Sequence, residues 1–194
     1  MPAPLPPDFY NRPTLTVARE LLGVCLVRSV DGTRLVGRIT ETEAYVGESD
    51  LACHAKAGRT PRTQIMYGPP GRAYVYFTYG MHWMLNAVTE AEGFPAAVLL
   101  RAVEVIEGRE FVQARRPGVA AKHWTDGPAK LAQAFGIASA QNGIDLTTTA
   151  AGLWLEPGQP VSDESVTIGP RVGLYSVPEP WKSKPWRFLN NRSS

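Results

Sequence analysis

Cysteine, long apolar stretches and a signal sequence are scarce or missing in this chain. Of its 194 residues only Cys25 and Cys53 are cysteines, too few for a disulfide framework, which favours reduced thiols. No apolar run approaches the roughly 18–20 residues that span a bilayer, and the N-terminal MPAPLPP lacks the basic and apolar regions of a signal peptide. We therefore expect a protein of the cytoplasm or nucleus that has no membrane partner.

Motifs for metals, nucleotides and activated serine are also missing. His54, His82 and His123, taken with the two cysteines, do not have the spacing of a metal site. The sequence contains no glycine-rich phosphate loop, no dinucleotide fingerprint and no serine elbow. It therefore predicts neither a metal nor another cofactor.

Negative charge is absent from one long stretch of the chain. Residues 51–89 contain no Asp or Glu but include four cations, Lys56, Arg59, Arg62 and Arg72. A second basic stretch follows near the end, where Glu179 is the only acid among Arg171, Lys182, Lys184, Arg187 and Arg192. Two basic patches in a chain of net charge +2 suit local contacts with phosphates. Plain solubility is the alternative interpretation.

The remaining composition is that of one globular domain, with 44% hydrophobic and 20% charged residues. Gly and Pro positions and residue periodicity predict strands at 24–30, 33–46, 73–80, 81–89 and 96–103, of which 73–80 runs into a turn. They predict short strands and loops at 166–174 and 186–189. They predict helices at 13–22, 107–116 and 127–135, the last capped by Asp126, and a long loop at 47–71. Strands joined by hairpins indicate an α+β domain around an antiparallel sheet. No composition shift divides residues 1–194, and residues 1–12 are predicted to be an extended or disordered lead-in.

The segment ETEAY at 41–45 combines acidic and aromatic residues on one predicted strand. Because side chains alternate with period two, Ile39, Glu41, Glu43 and Tyr45 are expected to share a face. Two carboxylates and a ring make a poor core but suit a site where a flat ligand stacks beside an acting carboxylate. A solvated strand face is the simpler alternative.

Two further features support a site. Arg101 interrupts the apolar strand at 96–103, and a buried cation needs a carboxylate or an anionic ligand, so we expect it near Glu43. Tyr79 precedes Gly80 at the tip of a predicted hairpin within the acid-free stretch. An exposed aromatic residue there could wedge between stacked bases.

These blocks together resemble the alkyladenine (3-methyladenine) DNA glycosylase family, from about residue 18 to about residue 188. The matching blocks are ARELLG at 18–23, GRITETEAY at 37–45, His54 with RTPR at 59–62, YVY at 74–76, YGM at 79–81, Asn86, LLRA at 99–102, GPAKL at 127–131 and RVG at 171–173. The order and spacing of so many blocks are specific to the family. The family's long N-terminal extension is absent, which is expected of a compact bacterial-type member.

The resemblance implies a role for each matched residue. Glu43 corresponds to the group that activates the attacking water and Arg101 to the group that helps hold it. Tyr45, His54 and Tyr76 correspond to the residues that sandwich the flipped base, and Asn86 to the residue that rejects the guanine amine. Tyr79 corresponds to the wedge. Contacts to the DNA backbone correspond to Arg62, Met81 and Lys130. His82 stands where some relatives carry Tyr, beside the wedge, and is grouped with the backbone contacts.

The resemblance further implies a single domain on a curved, largely antiparallel sheet with flanking helices and a protruding hairpin. It implies a monomeric DNA glycosylase of the bacterial cytoplasm that acts on damaged purines in double-stranded DNA. Hydrolysis without strand cleavage is expected, because no lysine is placed for a Schiff base. Two alternatives remain at the level of sequence. A small-molecule nucleosidase would need neither the Tyr79 tip nor the basic patches, and a non-catalytic nucleic-acid binder would need no carboxylate paired with a buried arginine.

Overall fold

An eight-stranded antiparallel sheet is the central element of the computed structural model, which describes residues 2–191. The strands are β1 (Cys25–Val30), β2 (Thr33–Val46), β3 (Ala73–Thr78), β4 (His82–Val88), β5 (Ala96–Glu107), β6 (Leu153–Glu156), β7 (Val166–Gly169) and β8 (Arg187–Asn190). They belong to one open sheet in the order β3-β4-β5-β2-β1-β6, and β8 pairs with both β2 and β7. The predicted α+β class and single antiparallel sheet are confirmed.

Four short α-helices accompany the sheet. They are α1 (Pro7–Tyr10), α2 (Thr14–Glu20), α3 (Arg109–Arg115) and α4 (Pro128–Phe135). Helix α4 begins with a proline and ends at Gly136, which has a φ of 61°, as its sequence predicts. Asp126 makes no capping hydrogen bond, so that part of the prediction is wrong. No helix within residues 2–191 has both the length and the apolar character to cross a membrane.

The turn between β1 and β2 shows how sequence sets the register of the sheet. Asp31 and Gly32 both have positive φ, of 49° and 77°, and Val30 pairs with Thr33 across them. This is the backbone that favours Asp-Gly in two-residue hairpins. The predicted strands on either side are confirmed, and Glu41–Glu43 of β2 lie between β5 and β8.

Part of the predicted extended or disordered lead-in at residues 1–12 is helical. Residues 7–10 form α1, and Tyr10 is fully buried in the main core. Leu5 is also buried, and its N–H donates to the carbonyl of Leu155 in β6 at 2.7 Å. Burial of these two apolar side chains against the sheet orders a segment whose prolines favoured extended chain. Strand β6 was not predicted either.

The segment at 47–71 is ordered by its own small core. Two short 3-10 helices, His54–Ala57 and Gln64–Tyr67, interrupt it. Its residues Cys53, Ala55 and Met66 pack against β3 and β5 in a cluster separate from the main core. This long connection is therefore a fixed wall beside the sheet.

Candidate active site

A cavity of about 310 Å³ opens beside this wall. It is lined by residues of β2, β3, β4 and β5, by the segment at 47–71, by the start of α4 and by residues 172–174. Its aromatic lining consists of Tyr45, His54, Tyr74, Tyr76 and Tyr79. Ligand pockets of proteins usually measure about 300–1,000 Å³. A small flat ligand such as a single base suits this volume and this lining.

Glu43 lies fully buried behind the cavity wall. Its carboxylate accepts hydrogen bonds from the Tyr45 hydroxyl at 2.8 Å and from the Val172 N–H at 2.7 Å, and Arg101 Nη1 lies 3.3 Å away. Glu43 does not itself line the cavity, but all three of these partners do. The predicted proximity of Arg101 and Glu43 is confirmed.

Burial dominates the acidity of this carboxyl group. Desolvation raises the pKa of Glu43 above its ordinary value, although Arg101 and the hydrogen bonds from Val172 and Tyr45 oppose the shift. A carboxylate with a raised pKa is a stronger base than an exposed one. The environment therefore suits a group that takes a proton from water.

Glu41 provides a second carboxylate for the same cation. It is buried and accepts hydrogen bonds from Arg101 Nε at 2.8 Å and from Arg187 Nε of β8. Arg101 thus bridges Glu41 and Glu43. Ile39, predicted to share their face, packs instead in the main core, because the pairing of β2 with β5 shifts register between Ile39 and Thr42.

The predicted stacking residues all line the cavity. The rings of His54 and Tyr76 meet edge to face with centroids 4.5 Å apart, and His54 Nδ1 lies 2.9 Å from the Tyr74 hydroxyl. Burial, and after it two nearby cations, lower the pKa of His54 to about 4. His54 is therefore a neutral ring at physiological pH, and no charge on it opposes the approach of a cationic base.

Asn86 and Tyr79 both line the cavity, but one side chain is buried and the other is exposed. Asn86 is buried, and its Nδ2 donates to the Tyr74 carbonyl at 3.0 Å. Tyr79 is 81% exposed and lies in the turn between β3 and β4, where its φ is 52° and that of Gly80 is 68°. Positive φ is unusual for a bulky residue and costs about 1–3 kcal/mol. Such strain is most often retained where it serves a function.

Three of the predicted DNA-backbone residues are exposed and lie outside the cavity lining. Arg62 is exposed, with its guanidinium 5.3 Å from the centroid of the Tyr76 ring. Met81 and His82 are exposed and follow the Tyr79 turn directly. The geometry does not test whether these residues contact DNA, so the assignments stay predictions.

Lys130 lies on the first turns of α4. Its Nζ forms an ion pair with Asp126 at 2.7 Å, and both side chains are partly exposed. Pro128, the first residue of α4, lines the cavity. Lys130 itself is not part of the cavity lining.

Most cations of the basic stretch near the end of the chain bind other groups of the same protein. Arg171 pairs with Asp50, and both side chains are fully buried. Arg187 binds Glu41, and the ammonium of Lys184 lies 3.8 Å from the centroid of the Trp181 ring. The predicted phosphate contact is therefore wrong for the buried Arg171, whereas for the partly exposed Lys184 and Arg187 it stays a prediction. A second predicted member, Arg192, lies outside the described residues.

The Asp50–Arg171 pair is the main structural feature beside the cavity that the sequence did not reveal. Arg171 was grouped with surface cations because its only visible context was a basic stretch. Its partner is 121 positions earlier in the chain, so no local spacing could connect them. Among residues 2–191, no group of three His, Cys, Asp or Glu side chains is arranged to hold a metal ion.

Comparison with known sequences agrees with this site. A sequence model of the family described as methylpurine-DNA glycosylase matches residues 8–194. The chain belongs to this family of hydrolases, which cleave the N-glycosidic bonds of damaged bases in DNA. Its substrate is therefore DNA, and its process is DNA repair.

Relatives from distant organisms match nearly the whole chain, and each is provisionally named as a 3-methyladenine DNA glycosylase. A protein of Myxococcus xanthus is 51% identical over 184 residues, covering 95% of this chain and 88% of its own length. One from Methanocella arvoryzae is 48% identical over 190 residues, covering 97% and 93%. One from Carboxydothermus hydrogenoformans is 45% identical over 190 residues, covering 97% and 96%.

Proposed function

We propose that this glycosylase flips damaged purines out of duplex DNA and removes them with a water activated by Glu43, leaving an abasic site. The observation that supports this most directly is the placement of the Glu43 carboxylate. It is fully buried, yet each of its three partners also lines a cavity of the size of a base. A base bound there would bring its glycosidic bond close to a carboxylate with a raised pKa.

The proposed reaction is a one-step hydrolysis. Glu43 takes a proton from water as the water oxygen bonds to the sugar C1′, and the electron pair of the breaking C–N bond leaves with the base. Arg101, 3.3 Å from Glu43 and also bound to Glu41, helps hold the water. Among the cavity-lining residues that the structure describes there is no lysine to form a Schiff base, so strand cleavage is not expected.

Base flipping explains the aromatic lining. Extruding a base costs a few kcal/mol, and less when it is damaged or poorly paired. Stacking returns about 1–3 kcal/mol per base, and Tyr45, His54 and Tyr76 would supply it. Tyr79 would fill the gap left in the duplex, because it is both exposed and part of the cavity lining. Electron-poor alkylated purines should gain most from tyrosine rings.

The proposed substrates are 3-methyladenine, 7-methylguanine, hypoxanthine and ethenoadenine, the damaged purines that the family's range and the names of the relatives suggest. Normal guanine differs from hypoxanthine by its exocyclic amine. Asn86 is buried in the cavity lining, where its amide would crowd that amine. We assign the rejection of guanine to this contact.

The surface around the cavity would bind the DNA backbone. Arg62, Met81 and His82 are exposed and Lys130 is partly exposed, and the absence of acids over residues 51–89 favours phosphate near the first three. We propose that the enzyme acts as a monomer on double-stranded DNA in the cytoplasm.

The test is base release by Glu43→Gln from duplex oligonucleotides carrying each lesion. Glutamine keeps the size of the side chain but cannot accept the proton, so single-turnover excision should fall by at least about 10²-fold, while lesion-duplex binding persists. Glu104→Gln is the matched control, since Glu104 is an exposed carboxylate on β5 outside the cavity lining. Near-normal excision by Glu43→Gln would exclude Glu43 as the general base.

A further inference from the structure

A buried ion pair lies directly behind the cavity wall. Arg171 and Asp50 are joined by two hydrogen bonds of 2.5 and 2.9 Å, and neither side chain is exposed. Moving two charges out of water is expensive, and apolar side chains in the same space often give equal or greater stability. Stability of the core alone therefore explains this pair poorly.

Arg171 connects three separate segments around the cavity. Its Nη1 donates to the Ala44 carbonyl of β2 at 2.9 Å, and its Nη2 donates to the Trp181 carbonyl at 3.2 Å. Asp50 belongs to the segment at 47–71 that forms the cavity wall. The guanidinium also lies 4.7 Å from the centroid of the Tyr45 ring. One side chain thus fixes β2, the wall and the chain near residue 181 relative to one another.

Two of the contacts to Glu43 depend on this arrangement. Tyr45, whose hydroxyl donates to Glu43, has its ring against the Arg171 guanidinium. Val172, whose N–H donates to the other carboxylate oxygen, is the next residue after Arg171. We propose that Arg171, held by Asp50, is a positioning residue that keeps Tyr45 and Val172 at the Glu43 carboxylate. This inference rests on the proposed role of Glu43 as the general base.

The arrangement has a consequence for the pH dependence of excision. The hydrogen bonds from Val172 and Tyr45 lower the pKa of Glu43 against the burial that raises it. Loosening them therefore raises the pKa of Glu43 further. Because a general base acts in its ionised form, the rate falls as pH decreases through this pKa. A higher pKa moves that fall to higher pH.

The other titratable groups around Glu43 remain in place in the test variant. Those that face it or its neighbouring carboxylate are Glu41 and Tyr45 of β2, Tyr76 of β3, Arg101 of β5 and Arg187 of β8. Replacing Arg171 by Lys keeps the net charge of the protein and all of these groups. It removes only the planar fork that binds Asp50 through two nitrogens and stacks on Tyr45.

The experiment is the pH profile of single-turnover excision by Arg171→Lys at saturating enzyme. We expect the acidic limb to move to higher pH and the neutral-pH rate to fall by about tenfold or more, since small misplacements at a reacting centre cost up to about 10²-fold. Affinity for the lesion duplex should change by less than the rate, because the exposed turn that carries Tyr79 is untouched.

Arg34→Lys is the matched control. Arg34 forms ion pairs with Glu107 and with the buried Glu156, away from the cavity lining. The same chemical change there should lower the melting temperature without moving the acidic limb. If Arg171→Lys behaves like Arg34→Lys, the Asp50–Arg171 pair is structural only and the proposal is overturned.

Asp50→Asn provides a second variant if Arg171→Lys gives too little folded protein. This substitution leaves the charge of Arg171 unpaired, and an unpaired cation near Glu43 would lower the pKa of Glu43 and move the acidic limb to lower pH. Loosened hydrogen bonds to Glu43 would instead raise its pKa and move the limb to higher pH. A shift to higher pH supports positioning, and an unchanged or lowered limb opposes it. Retained excision by Glu43→Gln would instead refute the proposed general base, so the two failures are distinguishable.

Discussion

Asn86 is the residue to which we assign selectivity in a pocket proposed to stack purines. Its Nδ2 is already bound to the Tyr74 carbonyl, which fixes the side chain in the cavity lining. Asn86→Ser shortens the side chain and should admit the guanine amine, whose unpaired burial otherwise costs about 1–3 kcal/mol. We expect release of normal guanine from mispairs to rise while release of hypoxanthine is kept. The ratio of the two single-turnover rates measures this.

Asn142→Ser is the control for that substitution, because Asn142 binds the Val75 N–H outside the cavity lining. If the ratio for Asn86→Ser does not move relative to this control, selectivity against guanine resides in the flipping equilibrium.

The residues of the site were predictable to the extent that their signals are local. Period-two alternation placed Glu43 and Tyr45 together, and the cost of burying Arg101 predicted its carboxylate partner. Alternation failed for Ile39, because a register shift cannot be read from residue types. Arg171 was misassigned because its partner Asp50 is distant in sequence.

At the scale of elements, the turn between β3 and β4 holds a tyrosine in a conformation better suited to Asn or Gly. The φ of 52° at Tyr79 should be relieved by Tyr79→Asn but not by Tyr79→Ala. We expect both variants to lose affinity for the lesion duplex, and less for single-stranded lesion substrate. Only Tyr79→Asn should gain stability, by about 1 kcal/mol in thermal melting. Equal losses on both substrates would make Tyr79 a packing residue.

A separate prediction concerns Lys130 of helix α4 and its proposed contact with the DNA backbone. Lys130 lies in the first turn of α4, and its ion pair with Asp126 is partly exposed and therefore easily exchanged for a phosphate. Lys130→Ala should weaken binding of lesion and normal DNA alike and reduce the salt slope by about one unit. Lys130→Arg should restore the slope. A slope unchanged in Lys130→Ala would place this residue away from DNA.

The elements that were predicted have strong local sequence signals, and those that were missed do not. The hairpin at Asp31-Gly32 and the proline and glycine limits of α4 were predicted because both are fixed by backbone geometry at a few residues. Helix α1 was missed because its order comes from burial of Tyr10 in the main core, which is a tertiary effect. The order of the segment at 47–71 has the same origin.

For the whole molecule, hairpin succession along the chain predicted an antiparallel α+β sheet, and this is confirmed. The return of β8 to pair with β2 was beyond prediction, because it joins strands more than a hundred residues apart. That pairing is what encloses the residues around Glu43.

The central place of β2 also determines how the protein opens. Between Glu41 and Glu43 this strand is paired with β5 on one side and β8 on the other, whereas Tyr79 lies in an exposed turn next to the edge strand β3. Backbone amides near Glu43 should exchange with deuterium only through global unfolding, and those around Tyr79 through local fluctuation, orders of magnitude faster. Hydrogen-exchange mass spectrometry on the free protein measures both. Fast exchange around Glu43 would contradict this prediction. On this prediction the turn proposed to contact DNA fluctuates locally, while the strand that carries the proposed general base opens only when the whole fold is lost.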